Sequence, residues 1–171
     1  RFADVIIGAP YTSQFFDRHV VNSTALGFPV RDDLLQKTNS VTGDKIIILH
    51  APSHPIAKGT QLIRRLMKEF EHDGYNIEYR EIKNQSNEMV LKALDECSFV
   101  IDQLYSDAAM PGLVTEAALY KKPSVVGGYC LTELKAFVPE GMFQPSQICH
   151  PRDFKAAIEK LIVDTSYRES L

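Results

Sequence analysis

Two short groups of residues carry side chains suited to holding an anionic ligand. The first is Lys58-Gly59-Thr60, which closes the segment HAPSHPIAKGT over residues 50–60. If that triplet opens a helix after a strand, an amine, unpaired chain N–H groups and a hydroxyl could converge on a phosphate. The second group is Asp107, Met110, Pro111 and Gly112, followed by Thr115 and Glu116. The Glu116 carboxylate could accept two hydrogen bonds from vicinal hydroxyls, as on a ribose. Each group also has a plainer reading: a solvated lysine, and a helix glutamate stabilised by the dipole near a helix start. By default His54, between Ser53 and Pro55, is a turn histidine. Asp102 reads by default as a strand-end carboxylate held by loop amides. Neither GxGxxG nor GxxxxGK[ST] occurs. No Ser/His/Asp or Cys/His arrangement stands out, and the five histidines form no ligand-spaced pair. No metal and no cofactor is expected.

The elements that would position these residues follow from hydrophobic periodicity. Val100–Val126 reads as strand, polar loop, short helix and strand: Phe99–Asp102 is apolar up to its acid, Leu113–Tyr120 is helical, and Pro123 leads into SVV closed by Gly-Gly. In a parallel sheet the intervening loop lies beyond a strand's carboxyl end, where open α/β sheets bind ligands. Upstream, Lys45–His50 (KIIILH) is the strongest strand pattern. The spacing of Leu62, Ile63, Leu66, Met67 and Phe70 predicts a helix over Lys58–Asp73, ended by Gly74. Asn76–Ile82 alternates as a strand nearer an edge, and Asn84–Ser86 is a turn. A helix capped by Ser86 or Asn87 then turns Met89, Val90, Leu94 and Cys97 inward. Further on, Leu131–Phe137 has helical character, Gln147–Cys149 is a short strand and Arg152–Val163 an amphipathic helix. At the head, Ala3–Gly8 reads as a strand and Gln14–Arg18 as a short helix capped by Ser13, and the stretch after it as irregular connecting chain. The alternation predicts an α/β domain with a Rossmann-like, doubly wound, mostly parallel sheet and helices on both faces.

Composition narrows the partners. A 171-residue chain with 44% hydrophobic and 24% charged residues fits one globular domain, or one plus a piece of another. A net charge of −3 with no recurrent basic face excludes nucleic acid as the expected partner. Cys97, Cys130 and Cys149 are odd in number and widely spaced, which favours a reducing, cytoplasmic setting over a disulfide framework. No apolar run approaches the roughly 20 residues that span a bilayer. The chain starts at Arg1 without an initiator Met or a signal-like leader, as expected of an interior piece of a larger protein. The polar run KTNSVTG at 37–43 is the clearest linker. It divides residues 1–36 from a domain over residues 44–171.

Taken together, KIIILHAPSHPIAKGT, SFVIDQ and GLVTEAALYKKPSVV resemble, in order and spacing, the donor-binding lobe of two-lobed, B-type glycosyltransferases, especially the retaining family 4 (group 1). The resemblance covers roughly Asp44–Gly128, and it implies a nucleotide-sugar-binding domain over residues 44–171, with residues 1–36 the end of a first lobe and an interlobe connection. It implies that Lys58 and Gly59, with chain N–H groups around Gly112, Leu113 and Val114, contact a donor diphosphate. Glu116 matches the second acid of the family's Glu-x7-Glu pair, which holds the donor ribose. Ser53, His54, Lys83, Asp107 and Thr115 are further candidate donor contacts.

Departures from the family pattern fall at the sugar end. The first Glu of the pair falls at Ala108, with Asp107 beside it. The glycine stands four residues before Glu116 rather than five, and Ser53-His54-Pro55 occupies the region of the family's usual arginine. The expected activity is sugar transfer from a nucleoside-diphosphate sugar to a growing polysaccharide or glycoconjugate. The missing first lobe of the same enzyme would complete the site, and the full-length protein could associate peripherally with a membrane. By itself the chain is expected to bind nucleotide and to transfer little sugar; no catalytic residue is assigned. A sugar-nucleotide epimerase lobe and a noncatalytic ligand- or partner-binding module are the competing readings.

Overall fold

In the computed structural model, residues 4–8, 17–22, 43–105, 111–130 and 146–171 are described. Five strands form one all-parallel sheet: β3 (Ile46–His50), β4 (Ile77–Glu81), β5 (Phe99–Gln103), β6 (Ser124–Gly127) and β7 (Ser146–Cys149), in the order β4-β3-β5-β6-β7. Helices α1 (Thr60–His72), α2 (Asn87–Glu96), α3 (Gly112–Leu119), α4 (Phe154–Val163) and α5 (Thr165–Ser170) accompany it. The chain is thus an α/β protein with a Rossmann-like sheet. In the head of the chain β1 (Ile7–Gly8) and β2 (Val21–Asn22) form a separate two-stranded parallel pair.

Period-two alternation along the central strands builds two cores. Ile48 on β3 and Phe99 and Ile101 on β5 belong to one cluster. It also takes in Ile63, Leu66, Met67 and Phe70 of α1, and Phe154, Ile158 and Leu161 of α4. Their intervening neighbours Leu49 and Val100 join the other cluster with Leu91 and Leu94 of α2 and Ala117 of α3. Both central strands are buried on two faces, which is why they read as continuous apolar runs rather than as alternating ones. Phe70 is fully buried, and truncating it to Ala would cost on the order of 3–5 kcal/mol.

Several local expectations are met by identifiable chemistry. The α1 helix ends in a Schellman arrangement: Tyr75 N–H bonds Phe70 O, Gly74 N–H bonds Glu71 O, and Gly74 takes φ 87°. The side chain of Ser86 caps α2 by accepting from Met89 N–H. β4 is indeed at the sheet edge.

Others are corrected. Helix α1 begins at Thr60, because Lys58 and Gly59 belong to the preceding turn, where Gly59 adopts φ 72°. Met89 faces solvent and Val90 is half-buried, while Leu91 and Ala93 join the expected Leu94 and Cys97 inward. Val21–Asn22, in the stretch read as irregular connecting chain, is a strand paired with Ile7–Gly8. A short helix, α5, follows Asp164, whose side chain accepts from Tyr167 N–H. Residues 37–42 of the linker, residues 14–16 of the head helix and the Leu131–Phe137 segment lie outside the described residues. All three cysteines are free thiols.

The strand order creates one special place. From β3 the chain winds through α1 to β4 on one side, whereas from β5 it winds through α3 to β6 on the other. The crevice beyond the carboxyl ends of β3 and β5 is therefore the switch point at which doubly wound sheets bind ligands.

Candidate functional site

β5 ends in a carboxylate that the sheet irregularity re-aims. Ile101 pairs with Val125 and Gln103 with the next residue, Val126, so Asp102 is the extra residue of a β-bulge. Asp102 is 1% exposed, and both its oxygens accept from Lys58 Nζ, at 2.7 and 2.8 Å. Lys58 Nζ donates in addition to Gln103 Oε1 at 3.3 Å. Burial pushes the Asp102 carboxyl above its ordinary value, and the ammonium beside it opposes that shift. The partner of Asp102 is thus a lysine from the neighbouring loop rather than the loop amides expected from sequence.

The residues Lys-Gly-Thr have separate tasks in fixing that lysine. The Lys58 carbonyl accepts from Leu104 N–H, at 3.2 Å, just past β5. Gly59 is left-handed, and a Cβ there would lie 2.7 Å from the Leu104 Cβ, so only glycine permits the approach. On the other side of Leu104 stands Gly127, whose added Cβ would meet Leu104 O at 2.5 Å. Two glycines therefore grip the end of β5. Thr60 is 1% exposed and its hydroxyl lies 2.9 Å from His50 Nε2. His50 Nδ1 lies 2.7 Å from Ile101 O. A carbonyl only accepts, so Nδ1 carries the proton, and Nε2 accepts from the Thr60 hydroxyl. Burial lowers the His50 pKa to about 4, which keeps the ring neutral near pH 7. The Thr60 hydroxyl is consequently spent on His50 and does not reach a ligand position beside Lys58, a correction to the convergence expected for the triplet.

Around the Lys58–Asp102 pair opens a cleft of about 380 Å³. Ala51, Pro52 and Ser53 from the loop after β3 form one wall. Gly112, Leu113 and Glu116 of α3 form another, and Ile82, Asn84, Gln85, Asn87 and Val90 close the far end. Helix α3 begins after Pro111 with no side-chain cap, and its first intrahelical bond is Thr115 N–H to Pro111 O. The amides of Gly112, Leu113 and Val114 precede that bond and have no intrahelical acceptor. Glu116 Oε1 accepts from Asn87 Nδ2 at 2.9 Å, so one carboxylate oxygen is oriented and the other remains for a ligand.

Of the residues singled out from sequence, Ser53, Lys58, Gly112, Leu113 and Glu116 line this one cleft. Gly59, His54, Lys83 and Thr115 are not among its lining residues. Gly59 acts by permitting the turn. His54 Nδ1 accepts from Ala57 N–H within its own turn, and Thr115 Oγ1 donates back to Pro111 O. Lys83 pairs with Glu81 at 3.0 Å, beside the Arg64–Glu81 pair. Asp107 and Ala108 lie outside the described residues. Sequence reasoning did not identify His50 as the residue that joins β3, β5 and α1; its signal was a histidine closing an apolar strand.

No protein-family model matches the sequence, and no curated protein or solved structure matches it significantly. Among the described residues no helix is long and apolar enough to cross a membrane, and no group of three or more His, Cys, Asp or Glu side chains gathers as a metal site.

Proposed function

We propose that this chain is the donor-binding lobe of a glycosyltransferase that takes its sugar from a nucleoside diphosphate. The observation that carries the reading is the meeting of Lys58, the open start of α3 and Glu116 in one cleft at the switch point of the sheet. Lys58 and the amides of Gly112–Val114 suit the diphosphate, and Glu116 suits a ribose diol. As the leaving diphosphate gathers charge, the Lys58 ammonium and the amides at the start of α3 stabilise it. A second lobe of the same enzyme supplies the acceptor site and the opposite wall. The free thiols favour the cytoplasm, with the whole enzyme at a membrane surface if its acceptor is lipid-linked.

The occupant of position 108 favours a second reading in which the lobe binds nucleotide without transferring sugar. Ala108 stands where relatives of the proposed family carry the acid that touches the donor sugar. Calorimetric titration with UDP, GDP and ADP tests the first reading. Micromolar binding of one of them, abolished by Lys58→Ala and weakened about tenfold by Glu116→Ala, supports it. Absence of binding by all three overturns both readings.

A further inference from the structure

The charged side chains lining the described part of the cleft are Lys58, Asp102 and Glu116, a formal sum of −1. That is an unfavourable field for a diphosphate as long as Asp102 is ionised and holds the lysine. The three protons of the Lys58 ammonium already have three acceptors, the two Asp102 oxygens and Gln103 Oε1. A phosphate that takes only the proton on Gln103 Oε1, the longest of the three contacts at 3.3 Å, leaves the ion pair intact, whereas one that takes the protons now on Asp102 replaces it as the lysine's acceptor. Among the described residues Lys58 alone bonds the Asp102 carboxylate, so the exchange would leave a bare carboxylate in a position 1% exposed. A buried carboxylate without counter-ion or donor takes a proton instead.

We propose that Asp102 is a proton-coupled gate on Lys58: anion binding in the cleft transfers the lysine from Asp102 to the ligand, and Asp102 takes one proton from solvent. The inference rests on the nucleotide reading and specifies how that site is regulated. The balance is simple. Ion-paired Lys58 and Asp102, plus ligand, plus one proton, give ligand-bound Lys58 and neutral Asp102; the lysine keeps its proton throughout. Burial already raises the Asp102 carboxyl and only the ammonium opposes it, so removal of the ammonium drives protonation.

No other described group facing Asp102 supplies the proton. His50, on the adjacent strand β3, is neutral and committed to Ile101 O and Thr60. Glu116, on α3, is half-buried and accepts from the exposed Asn87 side chain. Glu81, at the end of β4, is held by Arg64 and Lys83.

The linkage makes affinity fall as pH rises, by up to tenfold per pH unit where uptake is complete. The probes are UDP-glucose and GDP-mannose, whose diphosphate diesters have no group titrating near neutrality. Calorimetry in two buffers of different ionisation enthalpy measures the protons taken up at about pH 7. Wild type should take up close to one proton, and Asp102→Asn should bind with uptake near zero and a flat pH profile. Wild-type binding with no uptake, or an Asp102→Asn variant that keeps the uptake, overturns the gate and leaves the nucleotide reading intact. If neither sugar nucleotide binds at any pH, the nucleotide reading falls and the gate with it. The wild-type pH profile alone decides the matter if Asp102→Asn fails to fold.

Discussion

Lys58, in the turn before α1, and Asp102, at the bulge that ends β5, are joined by two contacts of 2.7 and 2.8 Å inside the cleft. The pair ties the turn before α1 to the bulge that ends β5, so it is at once a structural link and the main charged feature of the site. Replacing Lys58 with Met removes one partner and leaves a carboxylate 1% exposed. The expected loss is about 3 kcal/mol of stability by urea unfolding, and the Lys58→Met, Asp102→Leu double variant should recover most of it. A single variant as stable as wild type would mean that the pair holds nothing together.

Gly59→Ala is expected to be costly for a backbone reason. The residue sits at φ 72°, and its Cβ would fall 2.7 Å from the Leu104 Cβ. Left-handed strain and overpacking together should cost roughly 2–4 kcal/mol. Thermal melting of this variant beside Gly112→Ala provides the control, because a Cβ at Gly112 meets nothing within 4 Å.

His50 sets a pH dependence. The unfolded imidazole titrates near 6.5 and the folded one near 4, so between those values the unfolded chain binds more protons. The contribution of the neutral ring is complete above about pH 6.5 and is lost as pH falls to about 4, roughly 3 kcal/mol over the window. Unfolding free energies of wild type and His50→Asn, measured across that range, should converge toward the acid end. A difference that stays constant with pH would contradict the assignment.

How much of this was legible beforehand depends on whether the cause is local. The β-branched run IIIL in β3, the apolar stripe of α1 and the Gly74 stop follow from neighbours in sequence, and the sheet class follows from their alternation. The meeting of Lys58 with Glu116 was expected from ordered motifs rather than from either residue alone. The partner of Asp102 was not legible, because a bulge is defined by β6, on the far side of α3 in sequence. His50 was hidden for a similar reason: its partners Ile101 and Thr60 come from a neighbouring strand and a turn whose shape depends on Gly59. The pairing of Val21 with Ile7 escaped because two-residue strands have no period to read.

Glu116 should discriminate the ribose. Its carboxylate is oriented by Asn87, and its role as hydroxyl acceptor predicts that 2′,3′-dideoxy-UDP binds about tenfold more weakly than UDP, if UDP is the nucleotide bound. Glu116→Ala should erase that difference without lowering the melting temperature appreciably. Persistent discrimination in the variant would assign the ribose to another residue.

The central claim is that a nucleoside diphosphate occupies the cleft between Lys58 and the start of α3. Amide chemical-shift mapping during titration with UDP, GDP and ADP tests it most directly. The account predicts saturable shifts for one nucleotide at Lys58, Gly112, Leu113, Val114 and Glu116, residues of the cleft wall and the first turns of α3. Saturable shifts confined to other surfaces, or no shifts with any of the three, would contradict it.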